Sequence, residues 1–335
     1  MVILAIESSC DETSAAVIIN GKICSNVVST QLIHEQYGGV VPELASRAHQ
    51  QMILPVVQKA LDTANISKND LKAIAFTRGP GLLGALIVGA SFAKAMALGL
   101  NIPLIEVNHM QAHVLAHFIE EPKPQFPFLC LTVSGGHTQI VLVESPLKMT
   151  VIGQTQDDAV GEAFDKSAKL LNLPYPGGPM IDTLARNGNG DTYKFPISEM
   201  SNYDFSFSGI KTAILYFIQK NTKINPNFVE ENMENICASI QKTLIKTLMI
   251  KFLKAAKDMN IKQLAIAGGV SANSGLRAEL EKIGTQKGFE VFIPAFEYCT
   301  DNAGMIAMTG HFKFLENQFC PQETSPMPRL EMAEL

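Results

Sequence analysis

Two histidines four residues apart, in His109-Met110-Gln111-Ala112-His113, carry the sharpest chemical pattern in the chain. On a helix that spacing puts both imidazoles on one face, where they can reach a single divalent cation. The pair taken alone also suits the solvent side of a helix. His117 continues the row, but a further ~40° of helical drift turns it away from a shared ion. A third ligand must come from elsewhere, and Asp301 in Tyr298-Cys299-Thr300-Asp301-Asn302 is the leading candidate. Its alternative role is an aspartate capping a helix start. No glutamate follows His109 and Gln111 cannot act as a base, so the zinc-peptidase pattern H-E-x-x-H is absent.

The second group is acidic. Ser8-Ser9-Cys10-Asp11-Glu12-Thr13 places adjacent carboxylates at a turn, where they either accept a proton in catalysis or sit solvated. The third group is glycine-rich: Ser134-Gly135-Gly136, Tyr175-Pro176-Gly177-Gly178-Pro179, and Ala267-Gly268-Gly269-Val270-Ser271-Ala272-Asn273. Glycine admits a ligand close to the backbone, and a following helix amino terminus favours an anion. One such turn is only a tight turn. Three in one half of the chain point to a nucleotide or acyl-nucleotide. Asp165 and Asp182 lie between them and, on their own, read as surface acids or caps.

These residues need elements to hold them. Apolar runs at 2–7 and 13–19, with Asn20-Gly21 turning the chain into 22–29, predict a strand and hairpin. Helix 41–65, strand 71–77, small-residue helix 82–98, strand 103–107 and a histidine-bearing helix follow. A polar, proline-bearing break at 120–125 marks the boundary between a first lobe, 1–121, and a second, 122–300. The first lobe is completed by the carboxyl-terminal segment 301–335. The opening pattern then recurs about 125 residues on: strand 126–133, a turn at 134–136, and strand 137–143, which suggests a duplicated lobe. A helical insert spans about 160–260, followed by strand 263–267, helix 274–287, strand 289–293 and helix 301–316. Alternating strands and helices predict α/β architecture.

The chain has 335 residues, 47% apolar and 18% charged, with a net charge of −5. That composition supports a sizeable core and excludes disorder or a disulfide-stapled scaffold. It also excludes a protein coated in basic surface, so any nucleic acid must meet a local patch or a partner. The amino terminus lacks a basic signal-type region, and Gly81–Ala93 falls short of the ~20 apolar residues of a membrane span. Six cysteines show no metal spacing and read as reduced thiols of a cytoplasmic protein.

Together the motifs resemble the tRNA threonylcarbamoyladenosine-forming transferases, once labelled glycoproteases. The matching stretches are ESSCDET (7–13), GGVVPELASRAH (38–49), TRGPGLLGALIVG (77–89), NHMQAH (108–113), TVSGGHT (132–138), GEAFDKSAKLL (161–171), YPGGPMID (175–182), FSFSGIKTA (205–213), AIAGGVSANSGLR (265–277) and YCTDNAGMIA (298–307). The resemblance implies the actin, sugar-kinase and chaperone-ATPase fold, two RNase H-like lobes around a nucleotide cleft. It implies transfer of threonylcarbamoyl from threonylcarbamoyl-adenylate to the exocyclic amine of the adenosine 3′-adjacent to the anticodon, in tRNAs reading codons that begin with A, with release of AMP. By position it implies His109, His113 and Asp301 as ligands of iron(II) or zinc. Thr132, Val133, Ser134, Gly135, Gly136, Asp165, Gly178, Asp182 and Asn273 would hold the acyl-adenylate. Asp11 and Glu12 are candidate proton acceptors, with His137 behind them. Phe205–Lys211 would line the tRNA side, with Lys166, Lys169 and Lys211 as placed cations. Implied partners are tRNA through its anticodon loop, a same-fold paralogue (TsaB) and a small ATPase (TsaE), with no membrane. The competing activities are an ATPase or kinase of the same fold, disfavoured by the bulky acidic first tip, and a metal-dependent peptidase, disfavoured by the missing glutamate.

Overall fold

The computed structural model describes residues 1–332, so the last three residues of the 301–335 segment lie outside the described residues. The chain divides into two compact units. One comprises Met1–Pro124, Val143–Thr150 and Pro294–Leu335; the other comprises Gln125–Leu142 and Val151–Ile293. The sequence boundaries at 121 and 300 differ by a few residues. In addition, the turn region 143–150 groups with the first unit.

In the first unit, β1 (Val2–Glu7), β2 (Glu12–Ile19), β3 (Lys22–Thr30), β4 (Ala73–Gly79) and β5 (Leu104–Asn108) form a sheet in the order β3-β2-β1-β4-β5. β1 runs antiparallel to β2 and parallel to β4, with Ile6 opposite both Ala15 and Phe76. This explains why β1 reads as a continuous apolar run: five of its six residues are fully buried. Helix α1 (Pro42–Thr63) packs on β2, and α2 (Leu83–Leu100) packs on β4 and α1. α2 is 18 residues long with mean hydropathy 1.8, and only a third of it is buried. Helix α3 (His109–Leu115) follows β5 without a loop, and α9 (Ala303–Leu315) lies across β1 and β2.

The second sheet, in the second unit except for the 143–150 corner, comprises β6 (Phe128–Val133), β7 (Thr138–Ser145), β8 (Lys148–Gln154), β9 (Gln263–Ala267) and β10 (Glu290–Phe292) in the order β10-β9-β6-β7-β8. Read from the other edge, this is the first sheet's order with every strand advanced by five, and β6–β9 and β9–β10 are parallel as β1–β4 and β4–β5 are. The duplication suggested by two hairpins therefore extends to the whole sheet. β8 escapes sequence reading because Lys148–Gln154 is a half-exposed edge strand with weak alternation. The insert contains α4 (Val160–Leu170), α5 (Gly177–Ala185), α6 (Ser208–Thr222) and α7 (Phe228–Asp258), and α8 (Ser274–Lys287) follows β9. Phe164, Phe205, Phe207 and Phe252 anchor its core.

Candidate active site

The histidine pair sits where a strand becomes a helix. Asn108, the last residue of β5, accepts hydrogen bonds from Met110 and Gln111 N–H at 2.9 and 3.1 Å through Oδ1, capping α3. His109 is thereby the first helical residue and His113 lies one turn on. All seven residues of α3 are buried, so the solvent-face reading of the pair fails. His113 Nε2 lies 3.1 Å from His109 Nε2 and 3.2 Å from Asp301 Oδ1, and His109 Nε2 lies 3.3 Å from the same oxygen. The helix-cap reading of Asp301 fails too, because Asn302 caps α9 by accepting from Met305 N–H. His117 is buried but stands outside the His109–His113–Asp301 donor cluster.

Three donors about 3 Å apart fit a divalent ion. Adjacent ligands at 2.0–2.1 Å in octahedral or tetrahedral array are separated by about 2.8–3.4 Å. Two imidazole nitrogens facing each other at 3.1 Å share at most one proton, whereas a cation between them satisfies both lone pairs. The site therefore suits a divalent metal.

Behind the ligands stands Glu7, which the sequence reading left out. It is fully buried at the end of β1. Its Oε2 accepts from Thr77 Oγ1 at 2.6 Å and from His109 Nδ1–H at 3.0 Å, and its Oε1 accepts from Ser9 N–H. This carboxylate–histidine contact fixes the ring so that Nε2 faces the donor cluster. Burial works to raise Glu7, yet the attraction and hydrogen bond of His109 leave it below the ordinary carboxylate range. Burial likewise opposes a charged His109, but Asp301 and Glu7 hold its pKa well up. Burial dominates at His113 and lowers it. Asp301 lies far below its usual value: burial is overcome by the two histidines.

Asp11 and Glu12 occupy the β1–β2 tip of the same unit. Burial, then Asp301 and Asp11, push Glu12 up to about 10. The tip is held by His49 on α1, another residue the sequence reading passed over. Its Nε2–H donates to the Cys10 carbonyl at 2.9 Å, which leaves Nδ1 to accept from Thr13 Oγ1 at 2.8 Å. Burial lowers the pKa of His49, which favours this neutral form of the ring.

The carboxyl-terminal tail also bears on α3. Asn108 Nδ2 donates to the Glu331 carbonyl at 3.0 Å, Gln111 Nε2 to the Met332 carbonyl at 3.3 Å, and Met327 N–H to the Arg78 carbonyl at 2.8 Å. Leu330 and Met332 are buried. The tail matches the family pattern least, so no motif announces this contact.

The glycine-rich turns converge in the second unit. A cavity of about 300 Å³ is lined by Gly135, Asp165, Gly178, Asp182, Gly269 and Asn273 among others. Thr132 and Val133 are completely buried, with Thr132 Oγ1 donating to the Gln139 carbonyl, so they stand behind the cavity wall. Ser134 Oγ accepts from His137 N–H at 3.0 Å and closes the β6–β7 turn. Gly268 has φ +88°, and a Cβ there would lie 2.5 Å from the Val133 carbonyl oxygen, which is why this turn requires glycine.

The cavity's polar side chains chiefly hold its walls. Asp165 Oδ1 accepts from Gly177 and Gly178 N–H at 2.8 and 3.2 Å. Asp182 accepts from Ser274 Oγ and N–H at 2.7 and 3.1 Å and from Arg186, tying α5 to the start of α8. Asn273 caps α8 at Leu276 N–H and donates to Gln241 Oε1 at 2.8 Å. Of the residues expected on the tRNA side, two aromatics and one lysine are engaged within the protein. Phe205 and Phe207 are core residues, stacked with ring centroids 6.1 Å apart, while Asp157 accepts from Ser206 and Ser208 hydroxyls. Lys166, only partly exposed, is held between two carboxylates, Asp158 at 2.6 Å and Glu162 at 2.9 Å.

Comparison with known proteins gives a consistent result. The family model described as tRNA N6-adenosine threonylcarbamoyltransferase matches residues 22–308. The protein of that name from Cytophaga hutchinsonii is 61% identical over 330 residues, covering 98% of this chain and 96% of its own. The one from Christiangramia forsetii is 63% identical over 320 residues, covering 95% and 94%. Among solved structures, full-length HypF in its phosphate- and nucleotide-bound form matches with TM-score 0.62 at 14% identity, over 94% of this chain and 46% of that one. Component A of (R)-2-hydroxyglutaryl-CoA dehydratase from Acidaminococcus fermentans matches with TM-score 0.53 at 15% identity, over 93% and 98%. These two share the fold, the actin-like α/β type built from two RNase H-like lobes with a helical insert.

Proposed function

The chain belongs to the tRNA N6-adenosine threonylcarbamoyltransferase family, and from that premise we propose how its residues divide the work. The enzyme transfers threonylcarbamoyl from threonylcarbamoyl-adenylate to the exocyclic amine of the adenosine beside the anticodon, releasing AMP. The acyl donor is already activated. The difficulty lies with the nucleophile, an aromatic amine whose lone pair is delocalised into the ring, so positioning and charge stabilisation carry the catalysis.

In the proposed arrangement the acyl-adenylate sits on the second unit's cavity. The 134–136 turn meets it through backbone groups with Thr132 and Val133 behind it, Asp165 offers Oδ2 to a ribose hydroxyl, and Gly178 leaves room against the base. Asp182 and Asn273 hold the α5 and α8 walls. His109, His113 and Asp301 hold the metal, for which we propose iron(II): two histidines and a carboxylate with the remaining positions open are the donor set that ion favours, and zinc is the alternative. When bound, the ion supplies a Lewis acid for phosphate or acyl oxygen and a positive charge beside Asp301. Glu12 is the proposed acceptor of the amine proton. After burial, Asp301 contributes most to keeping Glu12 protonated, so a cation held at Asp301 shifts Glu12 toward its ionised, base form. Asp11 and His137 are the alternative acceptors. The reactive base lies in a single-stranded loop, where unstacking costs little.

A same-fold paralogue (TsaB) and a small ATPase (TsaE) complete the proposed cytoplasmic assembly. The apolar side chains of Leu54, Leu83, Ile87 and Leu98, 46 to 71% exposed on α1 and α2, support a docking face for the paralogue.

The observation that carries this reading is the buried His109–His113–Asp301 triangle backed by Glu7. The test combines unmodified tRNA, threonine, bicarbonate, ATP, the adenylate-forming enzyme and both partners, followed by mass spectrometry of the tRNA nucleosides. Wild-type protein yields threonylcarbamoyladenosine. The H109A/H113A variant loses both stoichiometric metal, read by elemental analysis, and product. A double variant that keeps its metal refutes the ligand assignment.

A further inference from the structure

A protein of net charge −5 must still hold a polyanion, and its charge is unevenly placed. Between residues 242 and 287 there are nine Lys and Arg against three Asp and Glu, so this stretch carries +6 and the rest of the chain −11. The segment covers the carboxyl-terminal half of α7, β9 and all of α8. Between α7 and α8 lies a groove of about 870 Å³, rimmed by Lys242, Lys246, Lys282 and Lys287, with Met249 and Ile283 in its floor. All four lysines are exposed.

We propose that this groove is where the enzyme grips the tRNA backbone. The inference rests on the transferase reading above, which supplies the polyanion. Among the described residues, Lys246 and Lys287 have no carboxylate within ion-pair distance. Lys242 is paired with Asp191 at 2.6 Å and Lys282 with Glu279 at 3.0 Å. Those two pairs are exposed, and such pairs are worth about 0–1 kcal/mol, so a phosphate displaces the carboxylate readily. Position agrees with charge. The groove begins at the wall of the nucleotide cavity, where Gln241 on its edge bonds Asn273. It then follows α8, whose 14 residues carry Lys282 and Lys287 up to about 20 Å from that wall. The lysines therefore suit phosphates some nucleotides away from the reacting adenosine. Their role is affinity rather than recognition of the base.

The test compares K246E/K287E with wild type in the complete assembly, measuring tRNA modification and the salt dependence of tRNA binding. The expected result is a KM for tRNA raised about tenfold or more with kcat within about twofold, and a slope of log K against log salt reduced by about 1.4–1.8 for two lost phosphate contacts. Nucleotide binding to the isolated chain stays unchanged, and K246R/K287R retains the wild-type KM. A variant with unchanged circular dichroism, tRNA KM and salt slope overturns the proposal. So does a variant whose defect disappears at saturating partner protein, which assigns the groove to an acidic partner helix. K246A/K287A gives the same reading should charge reversal impair folding. If wild-type protein makes no threonylcarbamoyladenosine in the parallel reaction, it is the transferase reading that fails.

Discussion

Glu12→Gln, in protein stripped of metal by a chelator, tests the electrostatics of the β1–β2 tip. Burial, then Asp301 and Asp11, raise the Glu12 carboxyl from 4.5 to about 10. A carboxyl raised on folding is protonated in the folded chain and ionised in the unfolded chain between those two values. Stability is complete below the unfolded value and is lost as pH rises toward the folded one. At pH 7 the loss is about 3 kcal/mol, and it grows by about 1.4 kcal/mol per pH unit. A domain's total stability is about 5–15 kcal/mol, so the effect is measurable. Glutamine keeps the shape and cannot ionise. Urea denaturation of both proteins at pH 5, 6, 7 and 8 should show the variant gaining on wild type by about 1.4 kcal/mol at each step. Product formation by the loaded enzyme should fall in the same variant. A stability difference that stays constant from pH 5 to 8 refutes the reasoning, because Glu12 is then ionised in the fold.

Glu7→Gln can keep the hydrogen bonds from Thr77 and His109 but removes the charge and the bond from Ser9 N–H; metal affinity measured by chelator competition should fall about 10–100-fold. Gly161→Ala places a Cβ 2.6 Å from the Ser134 carbonyl oxygen. Thermal denaturation should show a loss of about 1–3 kcal/mol, and adenine-nucleotide affinity should drop as the 134–136 turn is displaced. Truncation after Thr324 removes the carbonyls that Asn108 and Gln111 hold. The visible spectrum of the cobalt(II)-substituted site should change, and a synthetic peptide spanning 323–335 should restore it.

The sequence alone was enough to specify local features. Its apolar runs and Asn-Gly turn marked β1 to β3, and alternating strands and helices gave the α/β class. The spacing of His109 and His113 named two donors, because helical periodicity is a property of neighbouring residues. The glycine turns marked the second unit's cavity for a similar reason, since close backbone approach requires a residue without a side chain. Edge strand β8 was not legible, because packing rather than periodicity makes it a strand.

Tertiary structure decided what each polar residue does. Asp301 could have been a cap, and Asn302 takes that role instead; Asp182 and Asn273 turned out to brace the cavity walls. Glu7, in the apolar run VILAIE, looks like the polar end of a core strand until β1, β4 and α3 bring Thr77 and His109 against it. The charge of −5 concealed a basic groove in the same way, since net charge sums over the chain while a phosphate meets only the lysines that two helices present together. Contacts between residues distant in sequence arise only when the sheet and its helices close, so no local pattern encodes them. Spacing along one element, by contrast, is fixed before the chain folds.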